Sequence, residues 1–178
     1  VGLGALGSRV ARIAHGFNMS VLTCDPYIDE ERARKFAIKR VDLKTLLKAS
    51  DIVTLHVPLT GETRGLINKE KIDLIKPTAY LVNTSRGSVV DQEALIEALK
   101  TRKIRGAGLD VYTHEPIPHE SPLLGLDNVV LTPHIAGVTE EALIAISAKV
   151  AEETARIIRG ELPENLINRD LLIEKGYL

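Results

Sequence analysis

The stretch from Val1 to Asp25 constrains the fold more than any other part of the chain. It begins Val-Gly-Leu-Gly-Ala-Leu-Gly, so Gly2, Gly4 and Gly7 form a G-x-G-x-x-G pattern. An apolar-periodic run follows, then a short β-branched segment, and Asp25 lies eighteen residues after the last glycine. Glycines at this spacing before a predicted helix, with an acid after the next predicted strand, are typical of a dinucleotide-binding site.

Each part of this pattern has a separate task in such a site. Gly2 permits a tight turn, Gly4 lets the backbone approach a pyrophosphate, and Gly7 allows a helix to pack closely on a sheet. The start of the helix offers unpaired N–H groups and a positive dipole end to the phosphates. Asp25 can accept both ribose hydroxyls and would repel a 2′-phosphate, so the sequence predicts NAD rather than NADP. The alternative for an isolated glycine motif is a turn that binds nothing.

The rest of the chain alternates between strand and helix patterns. Strands are predicted at residues 21–23, 51–57, 79–83, 106–112 and 128–132. Helices are predicted at residues 5–17, 29–35, 42–49, 68–75, 91–100 and 139–159, and Asn68, Asp91 and Thr139 are the expected N-caps of the last three. The first helix carries an apolar stripe that is expected to be buried, made of Leu6, Val10, Ile13, Ala14 and Phe17. This alternation predicts an α/β fold with a doubly wound parallel sheet, the Rossmann architecture.

We expect an NAD-binding domain at residues 1–160 and a C-terminal tail without a strong pattern at residues 161–178. Only residues 1–3 remain of the strand that normally precedes the glycine turn, so the chain is expected to be cut at its start. A loop with three prolines and two histidines spans residues 113–127. Long irregular connections of this kind are often functional.

Composition excludes several classes of function. The net charge of −1 gives no footprint for nucleic acid or for an anionic membrane. No apolar run approaches the ~20 residues that span a bilayer. The single cysteine, Cys24, rules out an internal disulfide framework and fits a reducing cytoplasm. No cluster of histidine, cysteine and acidic residues has the spacing of metal ligands, so no metal site is predicted.

Three side chains that follow different predicted strands suit carbonyl chemistry. Ligands of doubly wound sheets bind outside the carboxyl ends of the strands, where Arg86, Glu115 and His134 lie. An arginine can hold a substrate carboxylate, and a histidine can protonate a carbonyl oxygen near neutral pH. A neighbouring carboxylate would orient that histidine. Taken singly, each residue could instead be a solvated arginine, a structural histidine or an inert loop acid.

Six motifs in register resemble one enzyme family. They are Gly2 to Gly7, Asp25-Pro26-Tyr27, His56 to Thr60, Asn83 to Gly87, Gly108 to Tyr112 with Glu115-Pro116, and Thr132 to Gly137. Together they resemble the D-isomer-specific 2-hydroxyacid dehydrogenases, which include D-3-phosphoglycerate dehydrogenase and glyoxylate/hydroxypyruvate reductase. The resemblance extends from Val1 to about Gly160. Glu115, where related formate dehydrogenases have glutamine, argues against those enzymes.

The resemblance implies a role for each matching residue. Arg86 would bind the substrate carboxylate, His134 would be the acid/base, and Glu115 would be its partner. The implied cofactor site has members at the pyrophosphate, the adenosine ribose, the cleft wall and the nicotinamide. Gly2, Gly4, Ala5, Leu6 and Gly7 would lie at the pyrophosphate and Asp25 at the ribose, while Val57 and Pro58 would form the wall. At the nicotinamide would lie Thr84, Ser85, Arg86 and Asp110, and Asp110 would receive its carboxamide. The site would be closed at His134, Ala136 and Gly137.

The chain differs from this family at its front, because members carry an N-terminal substrate domain before the glycine motif. We therefore expect weak or absent turnover from these 178 residues alone. The main hypothesis is NAD-dependent interconversion of a 2-oxo acid and a D-2-hydroxy acid, with glyoxylate, hydroxypyruvate and 3-phosphohydroxypyruvate left open. The alternatives are an NAD-sensing module of the corepressor type and an inactive cofactor-binding fragment. The family also implies a homodimer.

Overall fold

The structure, a computed structural model, describes residues 1–28 and 30–176. The strands are β1 (Leu22–Thr23), β2 (Lys39–Arg40), β3 (Ile52–Leu55), β4 (Tyr80–Asn83), β5 (Gly106–Leu109) and β6 (Val129–Leu131). The helices are α1 (Ala5–Gly16), α2 (Glu30–Lys35), α3 (Leu43–Ala49), α4 (Lys69–Ile72), α5 (Gln92–Lys100), α6 (Glu140–Ile158) and α7 (Arg169–Glu174). Asp29, predicted to begin the second helix, lies outside the described residues, as do Tyr177 and Leu178 of the predicted tail.

All the strands pair in parallel. β3, β4, β5 and β6 form a four-stranded sheet in that order, and β1 pairs with β2. Residues 1–3 lie between the two groups: the Gly2 N–H donates to the Cys24 carbonyl at 3.0 Å, and the His56 N–H donates to the Val1 carbonyl at 2.9 Å. The resulting order, β2–β1–(1–3)–β3–β4–β5–β6, is that of a doubly wound sheet. The predicted fold class is therefore confirmed.

The main core lies between the four-stranded sheet and the helices α3, α4 and α5. Leu47, Ile72 and Leu99 of these helices are buried in one cluster with Val53 and Leu81 of the sheet. Side chains cap the same helices and satisfy their first N–H groups. The caps are Asp42 of α3, Asn68 of α4 and Asp91 of α5, the last two as predicted.

The prediction that the apolar stripe of α1 is buried is wrong. The stripe on this helix consists of Leu6, Val10, Ile13, Ala14 and Phe17. Its large members are exposed, Leu6 by 66% and Phe17 by 76%, whereas the buried residues of the helix are Gly7 and Ala11. A Cβ atom at Gly7 would lie 2.1 Å from the Gly2 carbonyl oxygen. Because the helix packs this closely against the glycine turn, only small residues fit its inner face.

The chain separates into two compact units, Val1–Ala136 and Gly137–Leu178. The predicted division into residues 1–160 and 161–178 remains a prediction. In the second unit, the Thr139 hydroxyl caps α6, as predicted, and a Lys149–Glu164 ion pair of 2.7 Å joins the helix to the segment after it. The tail that was expected to lack a pattern contains α7. In the described part of the chain, no helix is long and apolar enough to cross a membrane.

Candidate active site

The glycine turn and the start of α1 form a cradle suited to a pyrophosphate. Gly2 has a φ of +85°, and a Cβ atom there would lie 2.8 Å from the His56 carbonyl oxygen, so a side chain would not fit. Gly4 is the N-cap of α1, and no side chain of the described residues caps the helix. Ala5 and Leu6 therefore present free N–H groups at the positive end of the helix dipole. This part of the chain fits the predicted cofactor.

Asp25 is fixed beside this cradle, at the end of β1. Its Oδ2 accepts the N–H of Leu3 at 2.7 Å and its Oδ1 accepts the N–H of Tyr27 at 2.9 Å. A carboxylate oxygen has two acceptor sites, so each oxygen can take one more hydrogen bond. The carboxylate can thus receive two ribose hydroxyls while its backbone contacts hold it in place.

His134 and Glu115, which follow different strands, form the closest pair of predicted catalytic groups. His134 Nδ1 lies 2.7 Å from Glu115 Oε2. The hydrogen bond from His134, followed by one from the Tyr112 N–H, lowers the pKa of Glu115 below its ordinary value. An ionised carboxylate only accepts hydrogen bonds, so the proton of this contact belongs to Nδ1. Nε2 is then the ring atom that can exchange a proton with a ligand.

His134 lies in a strained backbone segment. Its φ is +58°, in the left-handed region that few residues other than glycine adopt. The His134 N–H donates to the Thr132 carbonyl at 3.0 Å, which closes a tight turn around Pro133. Strain of this kind persists only where surrounding contacts enforce it, and such positions cluster at active sites.

Asp110, just after β5, holds the backbone of this segment in place through hydrogen bonds. Its carboxylate accepts the Thr132 hydroxyl at 2.5 Å and the N–H groups of Ile135 and Ala136 at 2.9 and 3.0 Å. Burial alone would raise the pKa of Asp110, but these hydrogen bonds outweigh it and hold the pKa below its ordinary value. Asp110 therefore positions the loop of His134. Its predicted contact with a nicotinamide carboxamide remains a prediction.

Arg86 follows β4, the strand next to β5. Its Nη1 donates to the Ser85 carbonyl at 2.6 Å, and no carboxylate of the described residues pairs with it. The buried side chain of Asn83 holds this turn, since its Oδ1 accepts the N–H and the hydroxyl of Ser85 and its Nδ2 donates to the Arg86 carbonyl at 3.0 Å. A Cβ atom at Gly87 would lie 2.0 Å from the Tyr112 carbonyl, so the turn lies directly against the segment of Glu115.

The structure brings only some of the predicted site residues into contact. His134 and Glu115 are in contact, and Arg86 lies at the end of an adjacent strand. Of the predicted cofactor residues, Gly2 to Gly7 form the glycine turn and the start of α1. The residues that follow the strands of the first unit are Val57, Pro58, Thr84, Ser85 and Ala136. Gly137 is the first residue of the second unit. Asn83, Tyr112 and Thr132 were missed as positioning residues. A polar residue at a buried strand position was the available signal for Asn83.

Comparison with known proteins identifies the family of the chain. Residues 1–136 match the family described as D-isomer specific 2-hydroxyacid dehydrogenase, NAD binding domain. The chain is 48% identical over 172 residues to a glyoxylate reductase of Korarchaeum cryptofilum, covering 97% of this chain and 52% of the relative. It is 47% identical to a D-3-phosphoglycerate dehydrogenase of Methanocaldococcus jannaschii, covering 94% of this chain and 32% of the relative. The chain thus spans about half or less of these relatives.

A solved structure gives the same result. D-lactate dehydrogenase with NAD⁺ from Lactobacillus jensenii superposes with a TM-score of 0.86 at 32% identity, covering 93% of this chain and 53% of that one. The doubly wound sheet, the glycine cradle and Asp25 define an NAD-binding domain of the Rossmann type. The chain belongs to the D-isomer specific 2-hydroxyacid dehydrogenase family. The predicted family and cofactor are confirmed, and none of these relatives supports the corepressor alternative.

Proposed function

We propose that the protein containing this chain interconverts a 2-oxo acid and a D-2-hydroxy acid with NAD as the redox partner. The observation that carries the proposal is the 2.7 Å contact between His134 Nδ1 and Glu115 Oε2 at the carboxyl end of the sheet. It fixes the protonation of the ring on one side and leaves Nε2 for the substrate oxygen. The names of the relatives support the same reaction class.

The chain's own residues divide the work in this proposal. Arg86 binds the substrate carboxylate and polarises the neighbouring carbonyl, as a planar guanidinium does well. His134 gives a proton from Nε2 to the carbonyl oxygen during reduction and takes it back during oxidation. Glu115 holds the ring in the required tautomer and orientation. The nicotinamide cofactor, when bound, supplies or accepts the hydride.

The cofactor contacts in this proposal follow the same geometry. The N–H groups at the start of α1 hold the pyrophosphate, and Asp25 holds the ribose of NAD and disfavours a 2′-phosphate. Val57 and Pro58 line the cleft, and Thr84, Ser85 and Asp110 lie toward the nicotinamide. Ala136 and Gly137 close the site.

Further parts of the proposal concern the whole protein. We infer a domain of residues 1–160, a cytoplasmic location and a homodimer. The cytoplasmic location rests on the single cysteine, Cys24, since a chain without a disulfide framework fits a compartment where thiols stay reduced. The homodimer rests on the family resemblance. The substrate stays open among glyoxylate, hydroxypyruvate and 3-phosphohydroxypyruvate.

The test measures the oxidation of NADH by each of these three 2-oxo acids. The loss of NADH absorbance monitors the reaction. The polypeptide made from the complete coding sequence is used, and the products of hydroxypyruvate and 3-phosphohydroxypyruvate, which are chiral, are analysed for their D-configuration. Turnover of glyoxylate, or D-specific turnover of either of the other two acids, supports the proposal. NADH binding by fluorescence titration without turnover of any acid would contradict it and favour an inactive cofactor-binding protein. Capture of a peptide partner in place of turnover would favour the corepressor alternative.

A further inference from the structure

Tyr112 lies where the three predicted catalytic segments meet. Its backbone N–H donates to Glu115 Oε1 at 3.0 Å. The Tyr112 carbonyl group lies directly against Gly87, the residue after Arg86. The two are so close that a Cβ atom at Gly87 would not fit. Its side chain reaches the third segment, that of His134. Tyr112 itself is only 6% exposed, so its ring is largely shielded from water.

The hydroxyl of Tyr112 makes the contact with the third segment. It lies 2.8 Å from the Thr132 carbonyl and 3.1 Å from the Leu109 carbonyl. Both partners are acceptors, so the hydroxyl must donate, and burial raises its pKa and keeps its proton in place. The Thr132 carbonyl also accepts the backbone N–H of His134 at 3.0 Å. The tyrosine hydroxyl and the histidine backbone thus share one acceptor.

This arrangement links both halves of the catalytic pair to one residue. Glu115 is held through the Tyr112 backbone, and the turn that carries His134 is held through the Tyr112 hydroxyl. The left-handed backbone at His134 needs such fixed contacts, because a strained segment relaxes when they are removed. A small movement of this turn would lengthen the 2.7 Å contact between the two side chains.

We propose that the hydroxyl of Tyr112 is a positioning group that keeps the His134 ring on Glu115, in the tautomer with its proton on Nδ1. This inference rests on the proposed function for its catalytic consequence. The sequence alone does not indicate it, since a buried tyrosine after a strand is usually a core residue. Phenylalanine would fill the same space without the hydrogen bond, so the hydroxyl can be tested separately from the ring.

The test compares Tyr112→Phe with Tyr80→Phe in the polypeptide made from the complete coding sequence. Tyr80 is a matched control, because its hydroxyl also has a hydrogen bond, from Arg105 Nε at 2.8 Å, at the start of β4 and away from the site. Long-range proton–nitrogen NMR spectra give the tautomer of His134 from its carbon-bound ring protons, without any substrate. Urea unfolding of both variants measures any general loss of stability.

In Tyr112→Phe, the ratio of the Nε2–H to the Nδ1–H tautomer of His134 should rise by about 5- to 10-fold, the factor that one hydrogen bond contributes. The ratio should be unchanged in Tyr80→Phe. For a 2-oxo acid that the enzyme reduces, kcat should fall by no more than this factor, with little change in KM for NADH. The loss should disappear in a Glu115→Gln background, because positioning through Glu115 is then already lost.

An unchanged tautomer ratio in Tyr112→Phe would overturn the inference, as would a kcat loss that simply adds to that of Glu115→Gln. An equal effect in Tyr80→Phe would also overturn it. The tautomer measurement does not depend on turnover. If no 2-oxo acid is turned over while the ratio still changes as expected, the proposed reaction fails and the positioning role stands.

Discussion

Replacement of Asn83 by alanine tests how the arginine of the site is held in place. Asn83 is 1% exposed and makes three hydrogen bonds, two with Ser85 and one with the Arg86 carbonyl. Each such bond contributes about 1 kcal/mol, so Asn83→Ala should lower the free energy of unfolding by about 3 kcal/mol. For a chain of this size that corresponds to a melting temperature lower by about 6–12 °C.

In the polypeptide made from the complete coding sequence, the same substitution should also affect the reaction. Without the Asn83 side chain, the turn that carries Arg86 loses its internal brace, and the guanidinium moves relative to the substrate carboxylate. A displacement of about 1 Å can cost about 100-fold in rate, so kcat/KM for the 2-oxo acid should fall by up to about that factor. NADH affinity, measured by fluorescence titration, should change little, since the glycine cradle is untouched.

Asn68→Ala is the matched control for this experiment. Asn68 caps α4 through one hydrogen bond, which its Oδ1 accepts from the Lys71 N–H at 3.1 Å, so its loss should cost about 1 kcal/mol with no effect on kcat/KM. Melting is followed by circular dichroism and kinetics by NADH absorbance. The reasoning is refuted if Asn83→Ala melts no lower than Asn68→Ala, or if it keeps full kcat/KM while melting as predicted.

Four further predictions concern single groups of the site. Asp25→Asn removes the charge that would repel a 2′-phosphate, so the ratio of the NADPH Kd to the NADH Kd should fall by about tenfold or more in fluorescence titration, and an unchanged ratio would exclude this role. His134→Gln should lower kcat by about 10²- to 10⁴-fold in steady-state kinetics while NADH still binds, and full turnover would remove His134 from the mechanism. Arg86→Ala should raise KM for the 2-oxo acid and lower kcat, because it acts in both the ground and the transition state, and a change in KM alone would limit it to binding. The depressed pKa of Asp110 adds stability that is present above its ordinary value of 3.8 and is lost as the pH falls through the folded-state pKa. In urea unfolding, the free energy of unfolding should therefore decrease in acid, and Asp110→Asn should reduce this pH dependence. An identical pH dependence in the variant would contradict this.

The general architecture could be predicted because local patterns and the fold agree. The glycine spacing, the acid after β1 and the cap residues Asn68 and Asp91 all have short-range physical causes. Most helix bounds were accordingly close, as for α1, predicted at residues 5–17 and found at Ala5–Gly16, but the helix predicted at residues 68–75 ends at Ile72. The short strand Lys39–Arg40 was missed, because both its residues are exposed and charged and its pairing with β1 leaves no pattern in the sequence.

The buried face of α1 could not be predicted from hydrophobicity. Its inner face consists of Gly7 and Ala11, because the close approach to Gly2 decides which side of the helix fits. Periodicity locates an apolar stripe, but it does not say whether another surface of the chain meets that stripe.

The positioning residues of the site were hidden for a similar reason. Asn83 and Tyr112 act through contacts with backbone groups, and backbone groups carry no sequence signature. Thr132 is linked to Asp110 across 22 positions of the chain. Only the parallel pairing of β5 with β6 brings these two residues together.

The most direct test of the account is a crystal structure of the polypeptide made from the complete coding sequence, with NADH and the 2-oxo acid analogue oxamate bound. The account predicts that the Arg86 guanidinium holds the oxamate carboxylate, while His134 Nε2 lies within hydrogen-bond distance of the oxo oxygen and Nδ1 remains on Glu115. An oxamate carboxylate bound away from Arg86, or a His134 ring turned away from the ligand, would contradict it.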